Sequence, residues 1–190
     1  MCLFKNLLIA TDGSELSQKA VSLELLAGDA AAAAALGEEG CALLETVGEL
    51  GLLSTSACFL GQALYALHRL DEAEACADRA AALGGRDDAA TQMLWRQVKA
   101  KTLARRGAHV EAERLAREAV AIANGTDKTD WCATAYADLA EVLALAGEGE
   151  EAAAALERAL ALYERKGNLV LAERSRTRLN ELASRPASTL

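Results

Sequence analysis

Apolar residues recur at three- and four-residue spacing along most of this chain. Leu60, Leu64 and Leu67 form one stripe, Ala100, Leu103 and Ala104 a second, and Leu139, Ala140, Leu143 and Leu145 a third. That spacing puts side chains on one face of a helix. Each stripe stops at a turn position, which is His68, Gly107 or Gly147. Beyond each turn lies another helical stretch: RLDEAEACADRAAAL from Arg69 to Leu83, GAHVEAERLAREAVAIA from Gly107, and GEGEEAAAALERALALY from Gly147. The pattern predicts helix, short turn, helix, repeated about every 40 residues. One period earlier, Gly28 opens a degenerate copy, GDAAAAAALGEEGCALLETV. Gly107 and Gly147 suit a helix end that needs a left-handed residue. His68 fills that place in its own unit at some cost in backbone conformation.

Small residues recur with the same period. The inferred crossing positions are Gly61, Ala100 and Ala140 on the first helices and Ala73, Ala112 and Ala152 on the second. Each second helix carries another alanine seven positions on, at Ala80, Ala119 and Ala159. Antiparallel helices approach closely only where such side chains are small, and a bulky residue there overpacks by roughly 1–3 kcal/mol. One pair cannot bury its apolar face alone, so stacking is required.

This set of small residues resembles the tetratricopeptide repeat. Ala140, Ala152 and Ala159 match it, with Tyr136 and Leu139 in the first helix, and the other two copies match at their corresponding positions. The repeat's proline is absent from every copy, and the period is nearer 40 than the 34 typical of that family. The departures are similar to long-period helical regions at the C-termini of bacterial cyclases and large transcriptional regulators. The resemblance covers about residues 28–184. It implies an all-α, right-handed solenoid of about four helix pairs, and a role in bacterial signalling or transcriptional regulation.

Composition agrees. The chain has 190 residues with Pro only at Pro186, and it is rich in Ala, Leu, Glu and Arg, which favours helix. The formal net charge is −8, which argues against a nucleic-acid partner. Near the C-terminus, Arg165, Lys166, Arg174, Arg176, Arg178 and Arg185 alternate with Glu164, Glu173 and Glu181. That interleaving reads as a solvated helix face. Five widely spaced cysteines without a CxxC suggest reduced thiols in a cytoplasmic setting. No run of 18 apolar residues points to a membrane span, and no secretory signal is expected.

The first residues differ in kind. FKNLLIATDGSELSQKAV, from Phe4 to Val21, combines a short apolar run, an Asp-Gly-Ser turn and a helix that Ser14 can cap. It resembles the start of a universal stress protein, in which the residues matching Thr11 and Asp12 help hold adenine nucleotide. That family's late glycine pattern is missing. Gly37, Gly40 and Gly51 come nearest but miss the spacing, and no further strand–helix alternation follows. The expected organisation is a remnant or fusion over 1–24, a repeat domain over 25–184 and a flexible tail over 185–190. The helix from about Glu15 to Leu26 can serve as first helix of the degenerate repeat. An unpaired apolar strand before it is a route to homodimerisation.

Candidate chemistry is sparse. His68 and His109 lack metal-ligand spacing, no cysteine has a histidine in a pattern suggesting a nucleophile, and the carboxylates are evenly spread. No catalytic residue, metal or cofactor is expected. By analogy with tetratricopeptide grooves, the first helices should present Gln62, Tyr65, Gln97, Lys101, Arg105 and Glu141 to a peptide, beside Cys58. The leading expectation is therefore a protein- or peptide-binding module rather than an enzyme. A nucleotide-binding stress protein, or a truncated fusion without a function of its own, are the alternatives.

Overall fold

The computed structural model describes residues 15–184. Among them every regular element is helical: α1 (Glu15–Ala27), α2 (Ala30–Val47), α3 (Leu50–Ala66), α4 (Leu70–Leu83), α5 (Ala89–Arg105), α6 (His109–Asn124), α7 (Thr129–Ala146), α8 (Gly149–Lys166) and α9 (Leu169–Ser184). The expected apolar strand, Ser14, Thr11, Asp12 and the tail over 185–190 lie outside the described residues. The chain divides into two compact units, Met1–Val98 and Lys99–Leu190, and the boundary falls within α5.

The turns explain the helix ends. Gly28, His68, Gly107 and Gly147 all have positive φ and follow α1, α3, α5 and α7, the first helices of the pairs. His68, at φ 60°, is the sole non-glycine in that conformation among the described residues. The chain bends back through the same hydrogen bonds at His68 and Gly147. Arg69 N donates to Leu64 O at 2.9 Å, and Glu148 N donates to Leu143 O at 2.9 Å. Asp29 caps α2 by accepting from Ala32 N at 2.9 Å, and Asp88 caps α5 by accepting from Thr91 N at 3.1 Å.

In the first unit α1 packs on α2 and α3, α2 on α3, and α3 on α4. The segment Glu15–Ala27 thus serves as first helix of a pair. The core holds Val21, Leu44, Leu53, Leu60, Leu64 and Val98, interleaved with Ala33, Ala73 and Ala77. Each fully buried leucine contributes roughly 1.5–3 kcal/mol. Gly61 sits where α3 meets both α5 and α4: an added Cβ would lie 3.0 Å from Val98 Cγ1 on α5, the tight contact, and at an ordinary contact distance of 3.4 Å from Ala73 O on α4.

In the second unit α6 packs on α7, α7 on α8, and α8 on α9. Ala112, Ala119, Ala152 and Ala159 are wholly buried, as the small-residue pattern requires. Acidic Glu150 and Glu151 open α8 and basic Arg165 and Lys166 close it, each complementing the helix dipole. No described helix is long and apolar enough to cross a membrane.

Candidate interaction site

The expected groove residues fall in two units and in different environments. In the first unit Gln62 is half-buried on α3 and Tyr65 is buried beside it. Gln97, on α5, is only 1% exposed, and neither polar atom of its amide has a hydrogen-bond partner among the described residues. Cys58 is fully enclosed, and burial pushes its thiol well above the usual range.

In the second unit the structure joins the remaining candidates to residues the sequence pattern did not single out. Lys101 Nζ lies 3.0 Å from Asp138 Oδ1. Burial pushes the Asp138 carboxyl up, Lys101 opposes that shift, and Glu141 adds to it. Asp138 Oδ2 is enclosed without a hydrogen-bond partner among the described residues. About one turn further along, Arg105 Nη2 donates to Glu141 Oε1 at 3.4 Å. Arg178 Nη1, on α9, approaches Glu141 Oε2 at 3.6 Å, beyond hydrogen-bond length. Three first helices, α5, α7 and α9, thus contribute alternating charges to one face of this unit.

Arg105, Glu141 and Arg178 border a cavity of about 510 Å³. Its apolar wall is made by Ala140, Ala144, Leu145, Leu156 and Leu182, and its charged rim by Arg105, Glu141, Arg178 and Glu181. Ala140 and Ala144 sit one turn apart on α7, and their small side chains leave the space open. Leu145 is 37% exposed there. Such a site can hold an apolar side chain while guanidinium and carboxylate groups bond its neighbours.

Asp138, Arg178 and Glu181 stand outside the groove pattern of the sequence, and the last two belong to the stretch that reads as a solvated face. The signal that could have found them is a second periodicity. Ser54 and Thr91 hydrogen-bond across 37 positions, Gln18 and Ser56 across 38, and Arg105 and Glu141 across 36. Lys101 with Asp138 and Glu141 with Arg178 repeat that offset within one residue. Successive first helices meet at this slightly shorter step, through hydroxyls and amides in the first unit and ions in the second.

Among the described residues no cluster of three or more His, Cys, Asp or Glu side chains is placed to hold a metal ion.

Residues 87–165 match the tetratricopeptide repeat family model. No curated protein matches the chain in sequence. Solved structures share its fold. A Rap protein complexed with competence and sporulation factor superimposes with a TM-score of 0.65 at 16% identity, over 90% of this chain and 55% of that one. The chain therefore spans little more than half the length of that protein. A putative kinesin light chain from Podosopora anserina, with nearly identical tetratricopeptide-like repeats, gives a TM-score of 0.56 at 17% identity, covering 88% of this chain and 93% of that one. BtubC from P. vanneervenii gives 0.56 at 17% identity, covering 93% and 85% respectively. Together with the nine described helices, these matches show that the described residues have a tetratricopeptide-like helical-repeat fold, with the family match itself confined to residues 87–165.

Proposed function

We propose that this chain is a protein-interaction module whose second unit holds a peptide segment of a partner, and that it works in bacterial signalling or transcriptional regulation. One observation carries the proposal: the cavity of the second unit, where Arg105, Glu141 and Arg178 from three first helices surround the apolar wall at Leu145 and Leu182. Helical-repeat proteins present such faces to extended segments, with side-chain pockets giving specificity. The Rap protein, complexed with a factor in its solved structure, is similar in fold and lends the proposal support by analogy alone.

The contact set we propose is Arg105 and Glu141 together with Arg178 and Glu181. Lys101 acts one layer deeper, holding Asp138 and through it the position of α7 against α5. A photo-crosslinking amino acid in place of Leu145, in cells expressing the chain, tests the proposal. The expected result is a discrete protein adduct that excess unlabelled chain competes away and that Arg105→Glu diminishes. A diffuse set of adducts insensitive to both would remove the proposal.

A further inference from the structure

The cavity of the second unit carries more information than its shape. On α9 the residues Arg178 and Glu181 are three apart and both line it. They do not pair with each other. Arg178 stops 3.6 Å from Glu141, and Glu181 has no cation within ion-pair distance among the described residues. Because α7 and α9 flank the antiparallel α8, they run in the same sense. The end of the cavity at Glu141 is therefore rimmed by two guanidinium groups, Arg105 and Arg178, around the single Glu141 carboxylate, which leaves that end net positive. One turn on, the end at Leu145 and Ser184 is rimmed by the Glu181 carboxylate. A helical turn rises about 5.4 Å, and alternate residues of an extended strand are about 6.6 Å apart, so strand side chains on one face match this pitch.

We propose that the cavity selects an extended peptide segment of mixed charge, with an acidic side chain at the Arg105–Arg178 end and, two positions on, a basic one whose head reaches Glu181 and whose methylene stem lies against Leu145 and Leu182. The inference rests on the interaction reading above and adds the partner's chemistry to it. Charges of both signs on the rim penalise a segment of uniform charge at one end or the other. The apolar wall supplies burial without sign.

Fluorescent peptides test it on the full chain: acetyl-Ala-Glu-Ala-Lys-Ala-amide, and its analogues with Glu at both charged positions or Lys at both. Binding is read by anisotropy at low and high salt. The wild-type chain is expected to prefer the mixed peptide by roughly fivefold, the scale of one exposed ion pair. Glu181→Lys is expected to move the preference to the doubly acidic peptide, and Arg178→Glu to the doubly basic one. Both side chains are exposed, so unchanged thermal melts accompany the shifts. Equal binding of all three peptides, untouched by either substitution, overturns the inference and leaves the interaction reading standing. No binding by any peptide, together with no adduct at Leu145, overturns both. Self-association that the same substitutions abolish assigns the cavity to a second copy of the chain and also overturns the inference.

Discussion

Lys101 Nζ and Asp138 Oδ1 meet at 3.0 Å with side chains only 8% and 13% exposed, tying the end of α5 to the middle of α7. Both ions lost their water on folding, so neither tolerates the loss of the other. Lys101→Met or Asp138→Leu alone should destabilise the chain by roughly 3–5 kcal/mol, because each strands an enclosed charge. The double substitution should cost little or even stabilise, since two apolar side chains replace the pair. Urea unfolding of the four proteins checks this. Single variants as mild as the double one would show that the pair is solvated.

The pH dependence has two opposed parts. Burial raises the Asp138 carboxyl, so its contribution to stability is complete below the ordinary carboxylate range and declines as pH rises through the raised value. Glu72, Glu111 and Asp130 behave oppositely. Hydrogen bonds from Arg69, Arg114 and Lys166 hold them below the usual range, and their contribution disappears as pH falls toward those lowered values. Wild-type chain should lose stability on acidification, and Arg69→Gln with Arg114→Gln should flatten that loss. Denaturant midpoints across an acid series give the comparison, and identical slopes would rule the surface pairs out as its cause.

His68 occupies a backbone conformation that glycine fills at Gly28, Gly107 and Gly147. A side chain there costs roughly 1–2 kcal/mol, part of which glycine returns through greater freedom in the unfolded chain. His68→Gly should therefore stabilise by about 0.5–1 kcal/mol, and Gly147→Ala should destabilise by about 1 kcal/mol. Matching changes of the same sign in the two variants would contradict this account of the turn.

At Gly61 the nearest neighbours are already in contact distance of an added Cβ, with Val98 Cγ1 at 3.0 Å. Gly61→Val should press α3 against Val98 on α5 and cost roughly 1–3 kcal/mol despite leaving glycine's poor helix propensity behind. Gly37→Ala should also destabilise, since its Cβ would lie 3.1 Å from Leu60 Cβ and 3.3 Å from Leu60 Cα, which is backbone and slow to yield. A stability gain at both positions, in thermal melts, would mean the helices have room.

Burial pushes the thiols of Cys41 and Cys76 to about 11, and that of Cys58 higher still. Little thiolate is present near neutral pH, and the thiolate is the reactive form. Iodoacetamide followed by peptide mass spectrometry should label Cys41 and Cys58 far more slowly in the native chain than in denaturant. Rapid native labelling of Cys58 would show that α3 opens locally.

Gly107, Gly147, Ala152 and Ala159 were enough to read the helix pairs, because turn conformation and close helix crossing are local demands that few residue types meet. The repeat therefore determined by itself that the described chain is helical, where the first helices end, and which alanines vanish into the interface. Tertiary structure decided what the charged residues do. Lys101 and Arg105 look alike in sequence, yet one is enclosed against Asp138 and the other reaches the rim of a cavity. Arg178 and Glu181 read as a solvated stripe in sequence, and in the fold they line the cavity between α7 and α9. Small residues act on their own helix or its immediate neighbour, so their spacing survives in one dimension. A charge takes its meaning from partners some 37 positions away and from how much water the packing leaves around it, and only the folded chain fixes both.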